Sequence, residues 1–146
     1  DSIGMPYTLE HISGIYFYRS DFNEALRLLD EAYRWRSSRA DSNGLGQNLA
    51  NQLEVHFAAG NFRKTTQLAA TLVGIGQRVG NPDLVRHAYK MGAQAYAALG
   101  DYQRAWEWEA DHRVMHDSLF NERNNARILD LEKKYELARR EEENQR

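Results

Sequence analysis

Apolar side chains recur every three or four residues along most of the chain, which is the spacing of an amphipathic α-helix. The spacing is interrupted between residues 37 and 46 and again at residues 80–82, where Pro82 suits the first turn of the next helix. The pattern therefore predicts an all-α chain. The positions that carry it are Leu9, Ile12, Ile15 and Tyr16; Ala25, Leu28, Leu29 and Ala32; Leu49, Leu53 and His56; Leu68, Ala69, Leu72 and Val73; and Tyr89, Ala93 and Tyr96.

Three short segments, residues 20–25, 60–65 and 100–105, align without gaps at a spacing of 40 residues. Each has a small residue, then Asp or Asn, then an aromatic residue, and a small residue three positions further on. A glycine suits the left-handed end of a helix, and Asp or Asn caps the helix that follows. The repeat predicts three helical hairpins of about residues 6–38, 46–79 and 82–117, which form a domain of residues 1–118.

The amino-acid composition of the chain changes after about Leu119. Residues 121–146 contain seven basic and seven acidic side chains and neither Gly nor Pro, which predicts one long, solvated connector helix over residues 119–146. A stripe of mostly apolar residues with three-four-three spacing runs along this helix and is too narrow to stabilise the helix alone. We therefore expect the helix to pack on the preceding hairpin or on a second copy in a homodimer. We call this stripe the seam, and it comprises Asn124, Ile128, Leu131, Tyr135 and Ala138.

Composition limits the function classes. The 146 residues carry a net charge of −2, which argues against nucleic acid as a partner, and there is no cysteine for a disulfide, a thiolate zinc site or a nucleophile. No apolar run is long enough to span a bilayer, so we expect contact with a membrane only through segments outside this sequence. Because the sequence begins at Asp1, we expect it to be a piece of a longer protein.

Candidate chemistry is sparse, and we predict no catalytic residue, cofactor or metal. His112 and His116 lie four residues apart, as two ligands of one metal would, but no third ligand accompanies them, so ordinary surface or interface histidines are the favoured reading. The Gly-Leu-Gly and Gly-Ile-Gly runs at residues 44–46 and 74–76 lack the strand and the lysine of a phosphate loop. Trp106 and Trp108 cannot both face inward on one helix, so one of them is expected to be exposed.

The hairpin pattern resembles the tetratricopeptide repeat (TPR) family. The third copy matches well at Tyr89, Ala93, Tyr96, residues 100–102 and Ala105, whereas the second is degenerate, with Leu53, His56 and Thr65 at the matching places. The 40-residue period exceeds the 34 residues usual in the family, which implies longer second helices or longer connections. The resemblance implies a right-handed α-solenoid. In the first copy the matching residues are Leu9, Ser13, Tyr16, Phe22, Ala25, Leu29 and Ala32.

The TPR resemblance also implies a concave groove, lined by the first helix of each hairpin, that binds a protein or peptide. Glu10 and Gly14 occupy places where a clamp for a peptide carboxylate would need Lys and Asn, so that ligand is disfavoured. An alternative is that some of these residues pack against a missing N-terminal repeat. The implied groove residues are Tyr7, Glu10, Gly14, Phe17 and Tyr18; Gln47, Ala50, Glu54 and Phe57; and His87, Lys90, Gln94 and Ala97.

The C-terminal stretch, residues 116–121 together with Ile128 and residues 131–136, resembles the junction of bacterial signalling proteins in which TPRs lead into a signalling helix. That resemblance implies a non-catalytic sensor module joined to a missing output domain, with a diguanylate cyclase favoured and a histidine kinase next. It also implies a periplasmic location in an inner-membrane protein, with a cytoplasmic location as the alternative. A passive scaffold and an enzyme built on a helical array are the rival classes.

Overall fold

The computed structural model describes residues 5–145, and within them every regular element is a helix. The all-α prediction is confirmed. The described chain forms three helical hairpins, and the second helix of the third hairpin continues as a long C-terminal helix. The first two hairpins are α1 with α2 and α3 with α4, and the third is α5 with the first part of α6. The helices are α1 (Met5–Tyr18), α2 (Phe22–Ser37), α3 (Ser42–Ala58), α4 (Phe62–Val79), α5 (Pro82–Ala98) and α6 (Tyr102–Asn144).

The corners between these helices repeat every 20 residues, which is half the period seen in the sequence. One residue of each corner has a positive φ, and the backbone N–H of the Asp or Asn that follows donates to the carbonyl five residues before it, at 2.8–3.2 Å. This is the bond that closes a Schellman-type helix end. The residues with positive φ are Ser20, Ala40, Gly60, Gly80 and Gly100, and the residues that follow them are Asp21, Asp41, Asn61, Asn81 and Asp101.

The Asp or Asn of each corner also begins the next helix. The side chain of Asp41 accepts the backbone N–H of Gly44 at 3.0 Å, and those of Asp21, Asn81 and Asp101 do the same three residues on. Asn61 is the exception, because its side-chain amide lies 3.2 Å from Nδ1 of His56 instead. Capping of this kind satisfies backbone donors that a helix start leaves unpaired, so each corner is encoded by its own few residues.

The long period is taken up by the helices, because the connections are only two to four residues long. The predicted break over residues 37–46 is longer than the observed one, since α3 begins at Ser42 and contains both Gly44 and Gly46. Packing explains these glycines. A Cβ on Gly44 would overlap the side chains of Asp41 and Arg36, and one on Gly46 would lie 2.8 Å from the side chain of Leu84.

Consecutive helices from α1 to α5 pack side by side, and α3 also packs on α5, as stacked hairpins require. The main core lies among α3, α4 and α5, and includes the fully buried Leu53 and Leu72. Asn48 is also fully buried: its Nδ2 donates to the carbonyl of Leu29 at 3.0 Å, and its Oδ1 accepts from Gln52 at 2.7 Å. A buried amide satisfied in this way fastens α3 to α2.

The start of α6 belongs to the first of two compact units, which ends at His112. Trp108 lies against α5, with ring centroids 5.5 Å from Tyr89 and 5.6 Å from Tyr96, and it occupies the space that a Cβ on Gly92 would need. Trp106 is 70% exposed. One Trp is therefore inside and the other outside, as the helical spacing predicted.

The second unit begins at Arg113 and consists of the remainder of α6. The helix passes through residues 118 and 119 without a break, so no change of secondary structure marks the domain boundary expected there. From Asn121 to Gln145 every side chain is exposed. The unit is a helix without a core of its own.

Candidate functional site

Three adjoining cavities lie along the inner surface formed by α1, α3 and α5, and we call them together the groove. The first has a volume of ≈ 230 Å³, the second ≈ 300 Å³ and the third ≈ 170 Å³. They form one surface because they share side chains. Glu10 lines the first and second, Gln47 the second and third, and Asn51 and Glu54 the first and third.

The first cavity lies between α1 and α3, with α2 beneath it. Leu29 and Val55 are buried and Phe17 is half-buried, so they form an apolar floor. Gly14 lies on the wall, and a Cβ added there would meet no atom within 4 Å. The absence of a side chain at this position therefore leaves the cavity open on the α1 side.

The second cavity is built around Arg36, whose guanidinium is only 10% exposed. Its Nε donates to Glu10 at 2.7 Å and its Nη1 to Asp41 at 2.7 Å, while the Tyr7 ring lies over it at 5.0 Å. Burial opposes the charge, but the hydrogen bonds to Glu10 and Asp41 outweigh burial and raise the pKa of Arg36. The guanidinium is thus charged and already occupied by two carboxylates.

The third cavity lies between α3 and α5. Nε2 of His87 lies 3.4 Å from Oε1 of Glu54, and buried Leu84 forms the floor. Burial lowers the pKa of His87 below its usual value, against the attraction of Glu54 and with the help of Lys90 and Arg86. At neutral pH the imidazole is therefore uncharged, and it does not compensate the carboxylate of Glu54.

The groove is acidic as a whole. Of the described residues that line the three cavities, four are carboxylates and one is a guanidinium, which gives a formal charge of −3 with His87 neutral. The carboxylates are those of Glu10, Asp41, Glu54 and Asp83.

Most of the groove residues expected from the sequence lie on this surface: Tyr7, Glu10, Gly14, Phe17, Gln47, Ala50, Glu54 and His87 line the cavities. Tyr18, Phe57, Lys90, Gln94 and Ala97 do not. Phe57 instead packs on the core and on Phe62, with ring centroids 5.5 Å apart, and Tyr18 is exposed beside Phe17. Lys90 and Gln94 are exposed on α5.

Sequence reasoning missed Arg36 and Ser13 as residues of the groove. Arg36 was overlooked because the groove was expected to be lined by the first helix of each hairpin. A signal was present, since Arg36 follows Ala32 by four residues and continues the buried stripe of α2 with a charge. A cation in a buried stripe needs a partner, and here the partners are Glu10 and Asp41.

The residues of the expected seam all lie on the part of α6 where every side chain is exposed. Ile128 is 47%, Leu131 58% and Tyr135 69% exposed, and Asn124 and Ala138 are exposed as well. The seam is thus an unburied apolar stripe within the described residues, and its pairing with a second copy stays a prediction.

No group of three or more potential metal ligands occurs among residues 5–145. His112 lies 3.6 Å from Glu109 through its Nδ1. None of the helices that the structure describes is both long and apolar enough to cross a bilayer.

No family model and no curated protein matches this sequence. Solved structures do match the fold. The TPR domain of Arabidopsis FLU superposes with a TM-score of 0.75 at 14% identity, over 81% of this chain and 99% of that one. The N-terminal domain of stress-induced protein-1 (STI-1) from C. elegans superposes with a TM-score of 0.68 at 17% identity, over 79% of this chain and 87% of that one. The chain therefore has the fold of a TPR-like α-solenoid with a long C-terminal helix.

Proposed function

We propose that residues 5–112 form a non-catalytic module that binds a peptide or a protein segment in the groove. The observation that carries the proposal is the continuity of the three cavities across three hairpins, with buried apolar residues in the first and third and polar side chains in all three. Peptide sites combine apolar pockets with polar groups that fix orientation, and solenoid folds present such surfaces on their inner helices. The similarity to TPR domains supports the same reading, because such domains generally mediate protein–protein interaction.

A random heptapeptide library displayed on phage tests this proposal. The full chain is immobilised, enriched peptides are synthesised, and their affinities are measured for the chain and for a Gln47→Arg/Asn51→Arg variant, which crowds the centre of the groove. Arg34→Ala, on the exposed face of α2, is the matched control. We expect at least a tenfold loss for the groove variant and no loss for the control. Failure to enrich any peptide, or equal binding by both variants, contradicts the proposal.

We further propose that α6 transmits the binding of a peptide in the groove to a second domain, which would be the output domain of a diguanylate cyclase or a histidine kinase. Support comes from α6 itself, which begins in the third hairpin and continues without interruption to Asn144. The exposed seam adds a surface through which two copies can pair in a dimer. A passive scaffold would use the same groove without relaying anything.

The dimer is tested by size-exclusion chromatography with light scattering at micromolar concentrations. We expect the unmodified chain to dimerise and Leu131→Asp to be monomeric. Leu137→Asp is the matched control, because Leu137 is equally exposed but lies outside the seam. A chain that is monomeric without any substitution rules out the dimer.

Transmission through α6, which we call the relay, is tested by pulsed electron paramagnetic resonance, which measures the distance between two spin labels. Because the sequence has no cysteine, Arg140→Cys gives one spin label per chain. A relay predicts that a peptide from the library selection shifts the distance between the two labels of the dimer. An unchanged distance at saturation favours the scaffold.

A further inference from the structure

We propose that the first cavity of the groove binds the side chain of a lysine or arginine in the partner peptide. This inference rests on the proposed function and makes it specific, since it names the residue class that anchors the peptide. It also names the position in the groove, between α1 and α3, where that residue is held.

The shape of the cavity suits a long, unbranched side chain. Its volume is ≈ 230 Å³, and Gly14 lines it at a position where an added Cβ would meet no atom within 4 Å. A glycine in the middle of a helix lowers helix stability by about 0.5–1 kcal/mol relative to alanine. At this position packing does not require it, so the open cavity is the structural feature that the glycine provides.

The lining matches the two parts of a basic side chain. Phe17, Leu29 and Val55 offer apolar surface to an aliphatic stem, while Glu10, Asn51 and Glu54 provide oxygen acceptors at the rim. Lysine and arginine bury their methylene groups along apolar surfaces and keep the charged end in a polar setting. A purely apolar side chain would cover the carboxylate of Glu54 without pairing it, which costs free energy.

The electrostatics of the neighbourhood favour a cation. Arg36 is shared between Glu10 and Asp41, so one positive charge faces two negative ones. Glu54 is half-exposed, and its partner His87 is uncharged at neutral pH because burial lowers the pKa of the imidazole. The three carboxylates and one guanidinium of the first two cavities leave a formal charge of −2 for a ligand to compensate.

An acidic ligand is the less suitable occupant. Arg36 is the one lysine or arginine among the described residues that line the groove, and its Nε and Nη1 already donate to carboxylates of this chain. A ligand carboxylate would have to reach the remaining N–H groups of a guanidinium that is only 10% exposed, and it would be repelled by Glu10 and Asp41 beside it.

Four pools of heptapeptides test the inference with the full chain. Each pool has a fixed central residue, which is arginine, lysine, citrulline or glutamate, and a mixture of Ala, Leu, Ser and Tyr elsewhere. Citrulline has the shape of arginine without its charge. Binding is followed by ¹H–¹⁵N NMR at the backbone amides of Gly14, Asn51 and Val55, at pH 7 and low salt.

We expect the arginine and lysine pools to bind about fivefold or more tightly than the citrulline and glutamate pools, and to weaken in high salt. Gly14→Leu fills the cavity and should abolish the preference. Gly74→Leu is the matched control, because Gly74 is also helical and has only a side-chain atom of Arg78 near its missing Cβ, at 3.8 Å. Glu54→Gln should reduce the preference severalfold without altering the fold.

Each other outcome overturns the inference. If the citrulline pool binds as tightly as the arginine pool, the charge is not recognised; if the preference survives Gly14→Leu, the cation is held elsewhere. Either result leaves peptide binding in the groove intact. If no pool shifts the three amides, the basic subsite is rejected, and the phage selection decides the proposed function separately.

Discussion

The two compact units differ in what stabilises their helices. In the first unit each of the helices α1 to α5 buries side chains against its neighbours, and residues such as Leu53 and Leu72 are fully buried. In the second unit, ion pairs form within the helix, such as Lys134 to Asp130 at 3.0 Å, and every apolar side chain from Asn121 to Gln145 is exposed. Exposed pairs of this kind contribute only about 0.3–0.5 kcal/mol each.

This difference is reflected in the residues that the helices of each unit contain. A helix with tertiary partners tolerates unfavourable residues, and the first unit has Gly14, Gly46, Gly76 and Gly92 inside its helices. In the second unit every side chain from Asn121 to Gln145 is exposed, and residues 113–146 contain no glycine or proline. Where packing is absent, the intrinsic propensity of the residues has to maintain the helix.

The largest contrast is expected from truncating a leucine in each unit. Leu53→Ala should lower the free energy of unfolding by about 2–5 kcal/mol, because it leaves a cavity in a fully packed core. Leu137→Ala, on the exposed face of the second unit, should change it by less than about 0.5 kcal/mol. Urea titration of both variants measures the contrast. Similar losses would mean that the second unit is buried against something.

A smaller effect, with opposite signs, is expected at two helical glycines of the first unit. Gly92→Ala should lower the free energy of unfolding by about 1–3 kcal/mol, because the new methyl group overlaps the Trp108 ring. Gly14→Ala should raise it by about 0.5–1 kcal/mol, because the methyl enters open space and alanine favours the helix. Thermal unfolding monitored by circular dichroism compares them. Destabilisation by Gly14→Ala would show that its wall is not open.

The corners give a third test, since the first unit has them and the described part of the second does not. Ala40 has a φ of 53°, in the left-handed region that an alanine adopts at a cost. Ala40→Gly should therefore raise the free energy of unfolding by about 0.5–1 kcal/mol, after the greater entropy of the unfolded glycine is counted. The same change at exposed, helical Ala70 should lower it by a similar amount. Equal signs would contradict the corner geometry.

The smallest effect is a pH dependence. Burial lowers the pKa of His87 in the folded state, although Glu54 opposes the shift, so the unfolded state binds a proton more readily. The contribution of neutral His87 to the free energy of unfolding should be fully present above the ordinary histidine pKa of about 6.5, and it should decline as the pH falls below that value. His87→Gln should flatten that decline, measured by urea unfolding from pH 8 to 5. His116→Gln, exposed in the second unit, is the control.

The architecture was predictable because its signals are local. Asp101 and Gly100 mark a corner that is closed by a bond to Tyr96, all within six residues. Ser20 and Ala40 show the limit of this logic, since neither is a glycine and yet each adopts the same geometry. A 40-residue repeat was recognised in the sequence, whereas the backbone angles show that the corners recur every 20 residues, each followed by Asp or Asn.

The candidate site was predictable only in outline. Helical spacing placed Glu10, Gln47 and Glu54 on the inner surface, and they line the cavities. Spacing could not show that Phe57 turns to the core and Phe62, because that choice depends on the partner helix. Nor could it show that Arg36 of α2 reaches Glu10, which is 26 residues away.

The amino-acid sequence by itself determined where most of the helices end, how many hairpins there are and which segment would be one long charged helix. These properties follow from caps, turns and periodicities that act over a few neighbouring residues. Only the tertiary structure decided that Gly14 leaves a cavity open while Gly92 lets an indole approach, and that Arg36 is buried and paired. The reason is physical, because burial, close approach and pairing are set by residues that are distant in sequence. Two glycines within helices therefore have opposite roles when different neighbours face them.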